Sequence, residues 1–191
     1  MEKKLRDPDI RKISDLEKVL YDKEWLESTQ QDDDAYYMYR GVAKKGGLRY
    51  DITEIPFKMF GKEFPKTKGH YHPGDYGEIY KVLEGRAIYL LQSRTMEDIV
   101  AIETKAGEVA IIPPGYGHIT INPGPKKLKM ANWVSPEFDS VYEPIVEKEG
   151  AGYFYTEDGW VKNKKYEKVP ELRWEKPEKK LPDDLSFLKI D

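Results

Sequence analysis

The sequence predicts an all-β fold, a small sandwich or barrel with a short helix before it and an extended tail behind. Three observations carry that prediction. Short stretches of apolar and aromatic residues recur at intervals of roughly 8–12 residues, each bounded by Gly, Pro, Asn, Asp or Lys. From residue 35 onward no helical pattern alternates with these stretches, which argues against βαβ units. The chain is 191 residues long, enough for one domain with a substantial core.

In chain order, residues 1–12 are polar and expected to be loosely extended. Ser14-Asp15-Leu16-Glu17 reads as a capping box opening a helix through about Leu26. Leu16, Val19 and Leu20 form its apolar stripe, expected to pack on the β-domain. Thr29 to Asp34 is a polar linker. Ala35–Val42 is aromatic-rich, and Lys44-Lys45-Gly46-Gly47 turns it into Leu48–Ile55. Further strands are predicted around Gly69–His72, Glu78–Leu83, Arg86–Gln92, Ile99–Glu103, Glu108–Ile112, His118–Ile121 and Leu128–Val134. Tyr153–Tyr155 and Trp160–Lys162 flank Thr156-Glu157-Asp158-Gly159 as a hairpin. Beyond Glu167, Pro, Lys and Glu dominate, and Trp174, Leu181, Leu185 and Phe187 are expected to strap the tail across the surface. The organisation so read is 1–34 as an N-terminal extension with its helix, 35–163 as the β-domain, and 164–191 as the tail.

Composition narrows the function. The net charge of −3 gives no general attraction to nucleic acid or to an anionic membrane. No apolar run approaches the ~20 residues of a transmembrane helix. The N-terminus lacks a signal-peptide core, and no cysteine is present to build a disulfide framework, so a cytoplasmic location is expected. The 35% charged content leans towards a thermophile.

All three histidines fall in two short blocks. The first runs from Gly69 to Gly85 and holds His70, His72 and Glu78; the second runs from Gly107 to Asn122 and holds His118. On a strand His70 and His72 share a face about 7 Å apart, close enough to lean onto one ion. Glu78 opens EIYKVL, which ends at Glu84-Gly85-Arg86, so a hairpin partner strand is expected to bring its carboxylate beside the imidazoles. His118 follows the rigid turn Pro113-Pro114-Gly115. Three imidazoles and a carboxylate suit Fe²⁺, Mn²⁺, Ni²⁺, Co²⁺ or Zn²⁺.

These blocks resemble the paired motifs of the cupin superfamily. Gly107, Pro113, Gly115, His118 and Asn122 match the second motif at every position, while the first has five residues between His72 and Glu78. The resemblance implies a small jelly-roll-like β-barrel with a metal in its mouth. A more specific likeness covers roughly Ala35 to Tyr142. Gly61-Lys62-Glu63-Phe64, Thr67-Lys68-Gly69-His70-Tyr71-His72 and Glu78-Ile79-Tyr80 resemble the cupin-type phosphoglucose isomerases of archaea.

What this resemblance implies is a metal-dependent aldose–ketose isomerase that interconverts glucose 6-phosphate and fructose 6-phosphate, in glycolysis and gluconeogenesis. His70, His72, Glu78 and His118 would hold one divalent metal, Fe²⁺ first among the candidates. Positions matching Thr53, Thr67 and Gly69 would hold the phosphate, and Tyr36, Tyr80 and Tyr142 would face the sugar. Glu78 would move the proton through a cis-enediol, with a hydride shift as the mechanistic alternative. Ser140 stands where a family histidine is expected, two residues before Tyr142, so ring opening would fall to Tyr142 or water. A homodimer is expected from the same resemblance. Two rivals share the motif: a cupin dioxygenase using Fe²⁺ and O₂, and a non-catalytic sugar-binding cupin.

Overall fold

The computed structural model describes residues 7–188. The larger sheet has six strands. Their order is β1 (Asp9–Lys12), β2 (Asp34–Lys45), β3 (Leu48–Ile55), β9 (Leu128–Val134), β4 (Glu78–Glu84) and β7 (Val109–Ile112). The smaller runs β12 (Leu172–Glu175), β6 (Ile99–Lys105), β5 (Arg86–Ser93) and β8 (Tyr116–Ile121). The strands β10 (Tyr153–Thr156) and β11 (Gly159–Lys162) form a separate hairpin, as their turn residues predict. This is a mostly-β, jelly-roll-like fold, and its sheets are not closed into a complete barrel.

Alternation decides which side chains the larger sheet presents inward. Along β9, Leu128, Met130, Asn132 and Val134 are all buried at every second position. Strand β5 instead reads RAIYLLQS and is buried almost throughout, because both its faces are covered. Ile55, Val82, Tyr89, Ile119, Ile121 and Met130 belong to one apolar core, each such side chain contributing about 1.5–3 kcal/mol by leaving water.

The turn Glu84-Gly85-Arg86 does not close a hairpin. β4 pairs with β7 and β9, while β5 pairs with β6 and β8, so Gly85 is the corner at which the chain changes sheets. Its φ is +80°, and a Cβ there would meet the Lys127 carbonyl oxygen at 2.5 Å, so only glycine fits.

The N-terminal helix is also not continuous. It divides into α1 (Ile13–Leu16), a 3₁₀ turn at Glu17–Val19, and α2 (Lys23–Ser28). The barrel captures the backbone groups that one helix would have used. Lys66 Nζ donates to the Val19 carbonyl at 2.8 Å, and the Tyr21 N–H donates to Glu63 Oε2 at 2.7 Å. Leu20 is left extended, with ψ at 143°. The capping contact sits two residues earlier than Ser14–Glu17: the Lys12 N–H donates to Asp15 Oδ2 at 2.8 Å. Leu16, Val19 and Leu20 are buried against the core as their spacing predicts.

Within the segment read as loosely extended, Asp9–Lys12 is a strand paired with β2. Conversely, Gly69–His72 is not a strand of either sheet. It is an extended run held by isolated bridges, His70 to His118 and Tyr71 to Val141.

Chain beyond residue 163 supplies β12, which pairs in parallel with β6 and makes Trp174 an exposed edge residue. Leu188 is buried with Leu181 and Leu185 packed around it, while Phe187 stays exposed.

Candidate metal centre

The first block lies along β8 in antiparallel fashion. The His70 N–H donates to the His118 carbonyl at 3.2 Å, and the His118 N–H returns to the His70 carbonyl at 3.0 Å. Alternation then turns His70 and His72 into the cavity and Tyr71 away from it. Gly117 makes room for Tyr71, since a Cβ there would meet the ring at 2.6 Å. Glu78 arrives from the opposite sheet on β4. The four side chains predicted as donors therefore meet across the mouth of the fold.

Their donor atoms lie within 4.8 Å of one another. His70 Nε2 is 3.2 Å from His72 Nε2. Glu78 Oε2 is 3.2 Å from the Nε2 atoms of both His72 and His118. Bonds of about 2.1 Å meeting at right angles would space donors about 3 Å apart, so the set fits one divalent ion. Two further observations agree. His72 Nδ1 lies 3.2 Å from the Tyr76 carbonyl, an acceptor only, so Nδ1 carries the proton and Nε2 keeps its lone pair for the centre. Glu78 Oε2 is buried with no hydrogen-bond donor among the described residues.

The electrostatics run the same way. Burial pushes the Glu78 carboxyl up, but the adjacent His118 and His72 rings outweigh it and hold the group well below the ordinary carboxylate range. Burial lowers both His70 and His118, and the neighbouring imidazoles add to it. Neutral imidazoles beside an ionised carboxylate are the protonation states that a cation binds.

The cavity above this cluster has a volume of about 390 Å³. Tyr36, Thr53, Thr67, Gly69, Tyr80 and Tyr142 all line it, and so does Ser140. Thr67 is tied to β8 by its own N–H, which donates to the Thr120 carbonyl at 2.9 Å. Tyr36 is buried, which pushes its hydroxyl up to about 12, and that hydroxyl accepts the Lys68 N–H at 3.4 Å. Tyr80 Oη lies 3.2 Å from His118 Nε2. Tyr142 caps α3 (Glu143–Glu147), its ring centroid 5.7 Å from that of His70. Two cations flank the Tyr142 ring: Lys68 Nζ lies 5.4 Å and the Arg11 guanidinium carbon 5.9 Å from its centroid.

Gly69 is glycine for a reason other than ligand approach. Its φ is +81°, and a Cβ there would press into the side chain of Ile119, with Cδ1 at 2.9 Å.

Sequence reasoning did not pick out Asn132, Asp51 or Phe138, which also line the cavity. Phe138 lies against the His72 ring at 4.4 Å. For Asn132 a cue existed: an amide among the otherwise apolar inward positions of its strand.

Fold and site together define a small cupin with a three-imidazole, one-carboxylate donor set in its mouth. Comparison with known proteins narrows the class. The family model described as glucose-6-phosphate isomerase (GPI) matches residues 10–171. The glucose-6-phosphate isomerase of Pyrococcus furiosus is 31% identical over 172 residues, covering 87% of this chain and 88% of that protein. That of Thermococcus litoralis is 31% identical over 157 residues, covering 80% and 82%. This chain belongs to the glucose-6-phosphate isomerase family. Among solved structures, an oxalate decarboxylase from Lactobacillus farciminis is 19% identical, with a TM-score of 0.47 over 61% of this chain and 34% of that one.

Proposed function

We propose that this protein interconverts glucose 6-phosphate and fructose 6-phosphate with one divalent metal at His70, His72, Glu78 and His118. The observation that carries the reading is a single cavity lined by all four donors and by Tyr36, Thr53, Thr67, Gly69, Tyr80 and Tyr142, in a chain of this family. Fe²⁺ is placed first, with Mn²⁺, Ni²⁺, Co²⁺ or Zn²⁺ as alternatives for the same mixed donor set. When bound, the ion supplies Lewis acidity to the O1/O2 edge of the sugar.

The chain's own residues do the rest. Thr53, Thr67 and the backbone at Gly69 hold the phosphate end. Tyr36, Tyr80 and Tyr142 bracket the open-chain sugar, and Tyr142, in place of the histidine absent at Ser140, serves ring opening. Glu78 takes the proton from C2, and that C–H electron pair forms the C1=C2 bond of a cis-enediol. The same proton returns to C1 while the hydroxyl proton passes from O2 to O1. Atoms balance and no oxidant is consumed. In this reading the protein acts as a homodimer. Among the described residues no helix is long and apolar enough to cross a membrane.

The test is a coupled assay of fructose 6-phosphate conversion in an anaerobic chamber, before and after chelation and metal add-back. Turnover should be lost on chelation, restored by the metal, and equal with and without air. Oxygen uptake matched to substrate loss would instead establish the dioxygenase reading.

A further inference from the structure

Asn132 belongs to neither motif block, yet it makes the closest polar contact to the proposed base. Its Nδ2 donates to Glu78 Oε1 at 2.6 Å, inside the protein, where Asn132 is 6% exposed and Glu78 is 3% exposed. The two oxygens of Glu78 thus have different partners. Oε2 faces the imidazoles of His72 and His118 at 3.2 Å, and Oε1 faces the amide.

Geometry makes this division rigid. Asn132 is the fifth of the seven residues of β9, and its register places it opposite Asp51 on β3 and opposite Tyr80 on β4. Glu78 is two residues from Tyr80 on the same face, so the amide reaches it diagonally across the sheet. The terminal torsion of a glutamate is broad and roughly two-fold, so an unrestrained carboxylate exchanges its oxygens freely. A donor fixed on a central strand removes that freedom. The inward neighbours of Asn132 along β9 are Met130 and Val134, among which an amide costs stability unless its hydrogen bond is used.

We infer that Asn132 is a positioning residue for the isomerisation, reserving Glu78 Oε1 for the carbon-bound proton by keeping Oε2 on the imidazole side. The inference rests on the proposal that Glu78 carries the proton between C2 and C1. Asn132 acts through Glu78 and forms no bond to the migrating proton.

The experiment compares the metal-loaded parent with Asn132→Leu and the smaller Asn132→Ala, starting from fructose 6-phosphate in deuterated water. Steady-state rates, metal content and deuterium incorporated at C2 per turnover are measured on each. Both variants should keep a full metal complement and a KM within about twofold, while kcat falls roughly 10- to 100-fold, the range for losing an outer partner of a metal-site ligand. Deuterium incorporation per turnover should rise, because a loosened carboxylate trades its proton with water before returning it. A purely structural role would lower folded fraction or metal content and leave the incorporation unchanged. Unchanged kcat and unchanged incorporation in both variants would overturn the assignment. So would metal loss that accounts for the lost rate. No incorporation in the parent or in either variant would instead remove Glu78 as the proton carrier, and the assignment with it.

Discussion

The Thr120 backbone N–H donates to Thr67 Oγ1 at 3.0 Å, which fixes the direction of the Thr67 hydroxyl. With a lone pair engaged on the β8 side, its proton is left to donate into the cavity that Thr67 lines. A donor so placed suits an anion.

Thr67→Val should therefore weaken kcat/KM for fructose 6-phosphate by roughly 10- to 150-fold, the equivalent of about 1.5–3 kcal/mol for a hydrogen bond to a charged group. Thr67→Ser keeps the hydroxyl and should recover most of the loss. Metal content, read by elemental analysis, should match the parent in both. An undiminished kcat/KM in Thr67→Val would move the phosphate elsewhere.

His70→Ala and His118→Ala each remove an imidazole from a set whose donors lie within 4.8 Å of one another. Both variants should lose bound metal. In the parent, a metal at 100 times its Kd should raise the unfolding free energy by about 2.7 kcal/mol, and the variants should lose most of that rise. Thermal melts with and without added metal check this, and full occupancy in both variants would sink the ligand assignment.

At Gly69 any side chain is strained by the φ of +81° and crowds Ile119. Gly69→Ala should destabilise the fold by roughly 1–2 kcal/mol from the backbone alone, with the Ile119 contact adding to it. In the double variant Gly69→Ala/Ile119→Ala the packing part should be relieved, giving a less than additive loss in denaturant titrations. Strict additivity would mean that the backbone term acts alone.

Lys66 and Glu63 form an ion pair at 2.5 Å with both side chains buried. Burial raises the Glu63 carboxyl above its ordinary 4.5, opposed by Lys66 and by the Tyr21 N–H. Lys66→Met leaves that carboxylate buried alone, at a cost of about 3–5 kcal/mol, and sends its pKa higher still. A raised carboxyl takes up a proton on folding, so its contribution is present at low pH and lost as pH climbs through the folded value. The gap between Lys66→Met and the parent should accordingly widen from pH 5 to pH 8 in urea titrations. A gap independent of pH would mean that Glu63 stays paired without Lys66.

Much of this site was legible before any coordinates. Only three histidines exist in the chain, so His70, His72 and His118 could be grouped by counting and spacing. Apolar runs bounded by turn residues placed β3, β5 and β9 nearly to the residue, because run length and turn composition are local properties of the chain. The run Thr67 to His72 carried the family likeness through residue types alone.

Tertiary structure decided what local pattern does not encode. Residues 14–26 have the stripe of one helix, yet Lys66 and Glu63, more than 40 positions along, take the backbone groups at Val19 and Tyr21 and divide it. Glu84-Gly85-Arg86 has the composition of a hairpin, but whether the next strand folds back or crosses over depends on which sheet has an edge to offer, here β8 and β6. Asn132 shows the same limit at the site itself. Its contact with Glu78 spans 54 residues and exists only because β9 lies beside β4, so the sequence determined the donors while the packing of the sheets determined how the carboxylate among them is held.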